Sequence, residues 1–233
     1  HELYNRAVVL SGVHHLRVHG NVVHDTYGHA FFLETGTETK NELVDNLCIK
    51  VRESVGMLNT DLTPAAFYLS NPGNVIRGNV AAGSWGYGFW ISPARDGVAD
   101  DYGEVSCPHA TQFVEFAGNA AAQCAMGGMV LFSMFAGDQH AKVPVGAFAA
   151  TRSPCDPASP SNPYLPARMS DMLLWRNMRT GLKVMSGVAK LQLVGFQFIE
   201  NDWTGLELPK RLFGQWGTNF IEGAAFVGGT GSK

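Results

Sequence analysis

Short apolar runs recur along the chain. Runs 30–33, 89–91 and 129–131 are each preceded by an Asn (Asn21, Asn79, Asn119) and then by a Gly (Gly28, Gly88, Gly128), and Asn46 lies inside a fourth run, 43–49. A sharper copy of the unit appears twice near the C-terminal end. Asn177-Met-Arg-Thr-Gly181-Leu-Lys-Val184 and Asn201-Asp-Trp-Thr-Gly205-Leu-Glu-Leu208 lie 24 residues apart. Self-similarity at a period of roughly 20 to 25 residues is the mark of a solenoid. The pattern predicts an all-β parallel β-helix, a coil of short strands with apolar side chains turned inward. Asn21, Asn46, Asn79, Asn119, Asn177 and Asn201 are expected to stack at sharp bends, exchanging amide hydrogen bonds and taking the left-handed backbone themselves. Gly28, Gly88, Gly128, Gly181 and Gly205 are expected to turn the chain before the next strand.

The alternative all-β architecture is a sandwich. Its hairpin signals are nearly absent, since Asp96-Gly97 is the only such pair. The spacing of the Asn markers then locates loop insertions. It widens to 33 residues from Asn46 to Asn79, 40 from Asn79 to Asn119 and 58 from Asn119 to Asn177. Insertions are therefore expected near 92–110 and 137–168, the second holding a Pro/Ser-rich stretch with little strand potential. The expectation is one β-helix domain over 1–233, cut from a longer extracellular protein. Its partners would be neighbouring β-helix or other domains of the same chain or assembly, stacked end to end or through the second insertion.

Composition narrows the function. The 233 residues are 45% hydrophobic and 16% charged, with a formal net charge of −3. That fits a packed globular chain and argues against disorder and against a basic nucleic-acid-binding face. The longest apolar stretch, 128–137, is too short to span a bilayer. No P-loop, dinucleotide fingerprint or Gly-x-Ser-x-Gly elbow is present, and there is no Asn-x-Ser/Thr sequon. Ser153, Ser159 and Ser161 are compositional candidates for O-linked sugar. Four cysteines allow three pairings. Cys48 and Cys124 sit in apolar runs and read as buried. Cys107 and Cys155 lie beside prolines in loop-like sequence and are the disulfide candidates, which suits an extracellular setting.

Several segments resemble a known family. His24-Asp-Thr-Tyr-Gly-His-Ala-Phe-Phe-Leu-Glu34 with 41–46, Thr63-Pro-Ala-Ala-Phe-Tyr-Leu-Ser-Asn-Pro-Gly-Asn74, and Asn79-Val-Ala-Ala-Gly-Ser-Trp-Gly-Tyr-Gly-Phe-Trp90 are similar to the β-helix region of the fibrocystin-L and cell-migration-inducing hyaluronan-binding protein (cell-surface hyaluronidase) family. The resemblance is specific over about residues 1–91. It implies a right-handed parallel β-helix in a large extracellular or cell-surface protein. It implies two functional classes, hyaluronan-degrading enzymes and large surface-coat proteins. The family commonly continues the Phe-Phe-Leu-Glu run with Asp-Gly, where this chain has Thr35-Gly36, and that departure weighs against catalysis.

Candidate chemistry concentrates in the N-terminal third, where His14, His15, His19, His24 and His29 fall within sixteen residues. On an extended strand His15, Arg17 and His19 share one face, and Leu16 and Val18 the other. Arg17 could pair with a sugar carboxylate while His15, His19 and His29 bond hydroxyls. His24 and Asp25 are an acid/base candidate, with Glu34 a second carboxylate. His15 and His19 with a carboxylate could hold a divalent metal, but no metal or other cofactor is assigned. Trp85 and Tyr87 are candidate sugar platforms. Asn59-Thr-Asp61 matches a triplet of pectin-degrading β-helix enzymes, whose later Gly-His-Gly and Arg-x-Lys motifs are missing here. Two readings result: a structural module of an extracellular coat or filament, and a module that binds or cleaves a hyaluronan-like acidic polysaccharide.

Overall fold

The computed structural model describes residues 5–55, 58–93, 97–131, 148, 150–156, 163–185, 188–209 and 218–229. Trp216, Ser159, Ser161 and most of the 137–168 insertion lie outside the described residues.

Three sheets of seven parallel strands make up the body. Sheet I contains Val8–Leu10, Phe31–Leu33, Ala65–Leu69, Tyr87–Ile91, Gly127–Leu131, Thr180–Val184 and Thr204–Glu207. Sheet II contains Arg17–His19, Glu42–Val44, Val75–Arg77, Glu115–Ala117, Ala167–Ser170, Leu191–Val194 and Phe220–Glu222. Sheet III contains Val22–Tyr27, Leu47–Arg52, Val80–Ser84, Ala120–Ala122, Leu173–Trp175, Gln197–Ile199 and Ala225–Val227. The chain visits sheets I, II and III in turn, and each visit lands one strand further along every sheet. This is a parallel β-helix, with seven coils among the described residues.

Each coil turns one or two side chains of each strand inward, and register stacks them. Phe31, Phe67, Phe89, Met129 and Leu182 form the row from sheet I. The Phe31–Phe67 and Phe67–Phe89 ring centroids are 4.7 and 4.9 Å apart and nearly parallel. That is the strand spacing itself, so the backbone sets the aromatic stacking distance. Sheet III compensates for bulk. Cys48, Ala81 and Ala121 stand in the coils that carry Phe on sheet I. Phe198 stands in the coil that carries Leu182. Volume is thus roughly conserved within each layer, which close packing requires.

The corner between sheets II and III has a strict rule. Its first residue is left-handed in all seven coils: Gly20, Asp45, Gly78, Gly118, Asp171, Gly195 and Gly223, with φ between 54 and 67°. The following residue is Asn21, Asn46, Asn79 or Asn119 in the first four coils. The Asn residues therefore do not take the left-handed backbone expected of them. Their predecessors do, and the amide is free to bond along the stack.

Two further expectations need correction. The six Asn residues form two columns, not one. Asn21, Asn46, Asn79 and Asn119 stack at the II–III corner. Asn177 and Asn201 stack at the bend between sheets III and I. A third column, Asn41 under the 13–16 segment and over Asn74, joins sheets I and II. Four of the five glycines are not corner residues either. Gly88, Gly128, Gly181 and Gly205 share one row inside sheet I, where a Cβ on Gly181 would meet Gly205 O at 2.5 Å and Phe198 Cδ1 at 2.9 Å. They are small because the opposite wall is close. Gly28 lies outside that row, at a left-handed position (φ 65°) against Asp61.

The first insertion carries a small antiparallel pair, Val98–Ala99 with Val105–Ser106, and the turn Pro108–Ala110. Cys107 is disulfide-bonded to Cys155, tying it to the described part of the second insertion. Cys48 and Cys124 are free and buried. Burial pushes the Cys124 thiol up to about 12 and raises that of Cys48 as well, so both stay protonated and inert.

Candidate functional site

The histidine-rich region does not assemble into one site. Arg17 and His19 do share the outer face of sheet II, with Val18 buried behind them. Leu16, expected to share the inward face, is exposed. Arg17 is bound to Glu42 of the next coil at 3.1 Å, and His19 Nε2 lies 3.2 Å from Asp45. The carboxylates that would compete with a sugar acid are already in place. His15 occupies a left-handed corner position and is exposed. His14 meets the Thr39 hydroxyl at 3.1 Å and Asp100 of the first insertion at 3.7 Å.

His24 and Asp25 diverge. His24 points to solvent from sheet III, whereas Asp25 sits in a left-handed bend with its carboxylate turned to the next coil. Lys50 Nζ reaches Asp25 at 2.7 Å and Arg52 at 2.6 Å. The Lys50 hydrogen bond, then that of Arg52, holds this carboxyl below its usual value. An anion so fully paired is a poor proton acceptor. Glu34 is exposed at the end of its sheet I strand, and no described contact joins it to His24 or Asp25. The expected acid/base pair is therefore not formed.

His29 is also corrected, from sugar-binding surface to core. It is 0% exposed, on the outer side of sheet I beneath the 58–63 segment. Its Nδ1 accepts the Ala65 N–H at 3.0 Å, so Nε2 carries the proton and donates to Thr60 Oγ1 at 3.0 Å. Phe32, Tyr68 and Trp90 surround the ring. Burial, aided by the Arg6 charge, lowers its pKa to about 3. Of the Asn59-Thr-Asp61 triplet, Asp61 is buried in the same block, Thr60 is half-buried and Asn59 is exposed. Asp61 accepts from Arg6 at 3.0 Å and from the Leu58 N–H at 3.1 Å, a structural ion pair and not a hydrolytic carboxylate.

Thr35 has an identifiable partner. Glu38 is buried and its carboxylate accepts the N–H groups of Gly12, Thr35 and Gly36. The Thr35 hydroxyl donates to the same carboxylate at 2.6 Å. An Asp at position 35 would set a second carboxylate against Glu38, so Thr35 and Glu38 suit each other as a folding pair.

The aromatic candidates separate. Tyr87 lies half-buried on the outer face of sheet I, edge-on to Trp90 at 5.6 Å. Trp85 is 55% exposed and lines an open groove of about 1080 Å³ that follows the bend between sheets III and I. The left-handed bend residues form one side: Lys50, Gly83, Gln123, Arg176 and Glu200. Tyr27, Arg52, Trp85, Ala125, Met178 and Asp202 form the other. Arg176 bonds Glu200 as Lys50 bonds Asp25, so the groove carries an ion pair at each end. Two members of this row carry a sequence signal, Arg176 just before Asn177 and Glu200 just before Asn201. Among the described residues, no group of three or more His, Cys, Asp or Glu is placed to hold a metal ion.

A family model described as CEMIP beta-helix matches residues 1–63 and 55–129, more than half of the chain. The chain belongs to that CEMIP-type β-helix family. Fibrocystin-L of Homo sapiens is 33% identical over 98% of this chain, and that of Mus musculus 32% identical over the same share. The chain spans only 5% of the length of those relatives. The cell surface hyaluronidase CEMIP2 of Homo sapiens is 29% identical over 39% of this chain. The fibrocystin-L similarity thus runs on through the region where the motifs become generic repeat sequence. No helix among the described residues is long and apolar enough to cross a membrane.

Proposed function

We propose that this chain is a rigid structural module of an extracellular or cell-surface protein, one β-helix that spaces or joins neighbouring domains. One observation carries the reading. The polar groups that run along the solenoid are spent on the next coil: Asn to Asn, Arg17 to Glu42, Asp25 to Lys50 and Arg52. Such axial bonding stiffens a one-dimensional fold, whose stability is set by nearest-neighbour coil contacts. The Cys107–Cys155 disulfide supports an oxidising location.

The name of one relative, the cell surface hyaluronidase CEMIP2, favours a second reading, depolymerisation of hyaluronan. The test is to incubate the protein with high-mass hyaluronan, with and without divalent metal and chelator, and follow polymer length over hours. No shortening is expected, together with a stiff rod of constant cross-section by small-angle scattering. Shortening that a His24→Ala/Asp25→Ala variant loses would overturn the structural reading.

A further inference from the structure

The groove beside Trp85 has a built centre. At Gly83 its wall carries no side chain and at Ala125 only a methyl, leaving a recess about two coils, or roughly 10 Å, tall. Trp85 flanks the recess with its ring more than half exposed, and among the described residues no aromatic ring is stacked on it. Met178 lines the recess from a further coil, and the Gln123 amide stands beside it.

Charge identifies the kind of occupant. Lys50, Arg52 and Arg176 are matched by Asp25, Glu53, Glu200 and Asp202, three cations against four carboxylates. A polymer bearing a carboxylate or sulfate on each repeat would find no unspent cation there, and a slightly negative field would oppose it. An extended peptide would need free backbone groups. The N–H groups of Trp85, Gln123 and Ala125 already donate to Val51, Trp175 and Ser84 of neighbouring coils. An uncharged sugar meets both conditions. Its C–H face stacks on an indole, and its hydroxyls donate and accept at once, as do an Arg–carboxylate pair and a Gln amide.

We propose that this recess binds one ring of a neutral glycan, stacked on Trp85, with Gln123 and the flanking ion pairs bonding its hydroxyls. The site is independent of the structural reading above, because a stiff spacer can carry a lectin-like groove on its flank.

The test is isothermal titration of the folded chain with maltohexaose, cellohexaose, chitohexaose and mannohexaose, with a hyaluronan hexasaccharide as the acidic comparator. At least one neutral hexasaccharide is expected to bind and to change tryptophan fluorescence, with affinity unchanged from low to high salt. Trp85→Ala should weaken that binding about tenfold or more. Because Trp85 is exposed, this variant should keep the parent's circular dichroism and melting temperature. Ala125→Phe, which fills the recess and leaves Trp85 in place, should also abolish binding. Absence of binding by every neutral oligosaccharide at millimolar concentration would overturn the proposal. So would binding that survives both variants, or preferential, salt-sensitive binding of the hyaluronan fragment.

Discussion

The side-chain oxygen of Asn119 accepts both the backbone N–H and the side-chain amide of Asn79, at 2.9 and 3.1 Å. Asn79 repeats the same two bonds to Asn46 one coil earlier, and its own amide also donates to Leu43 O at 2.8 Å. One buried amide thus serves three coils. Asn79→Ala strips the acceptor from two Asn46 donors and the donor from Leu43 O. Leaving such groups buried and unpaired should cost about 3 kcal/mol. Asn21→Ala, at the exposed start of the column, should cost under about 1 kcal/mol. Urea unfolding of the two variants measures the contrast. Equal losses would mean that the column does not act cooperatively.

The glycine row makes a steric prediction. Gly181→Ala places a methyl against Gly205 O, which cannot retreat without moving a strand, and against the buried Phe198 ring. It should destabilise by about 2 kcal/mol or more, as overpacking does. Gly228, with nothing within 4 Å of its would-be Cβ, is the control and should tolerate Ala. Thermal melts of both variants decide the matter.

His29 makes stability depend on pH. Its pKa is lowered to about 3 in the fold from an ordinary 6.5. Between those values the unfolded chain binds a proton that the folded chain does not. Stability from this group is therefore complete above about pH 6.5 and falls as pH drops toward 3, by at most about 1.4 kcal/mol per pH unit. Asp25, whose carboxyl is lowered from 3.8, adds a loss of the same sign only below that value. Denaturant midpoints measured between about pH 4 and 6.5 should slope upward with pH, and His29→Gln should flatten the slope. An unchanged slope in that variant would assign the titration to other groups.

The Cys107–Cys155 disulfide closes a loop of 48 residues' separation. By loop-closure entropy its removal should cost about 4 kcal/mol. The loss should begin in the insertions, because the Asn columns are bonded independently of it. Hydrogen exchange of the Cys107→Ser/Cys155→Ser variant should show faster exchange at Val98–Ala99 and Val105–Ser106. Protection of the Asn46 and Asn79 amides should persist. Uniform loss of protection would show that the coils depend on the clasp.

The parallel β-helix was legible in the sequence because its units are local. A coil needs a bend residue, an inward apolar residue and a polar partner at a nearly fixed interval, and the Asn177 and Asn201 units display all three. The 40-residue interval from Asn79 to Asn119 likewise marks the stretch that holds Val98–Ala99 and Val105–Ser106. Tertiary structure alone decided which corner each Asn occupies, because variable loops between Asn119 and Asn177 hide a change of column from any count along the chain. It also decided the fate of the histidines. His24 and His29 lie five residues apart, yet one faces water and the other is sealed beneath Thr60 and Asp61, more than thirty residues away in sequence. Local pattern determines that a residue points in or out of its own strand. Whether an outward side chain meets solvent, a counter-ion on the next coil or the underside of a loop depends on what returns there one coil later, and only the folded stack brings those residues together.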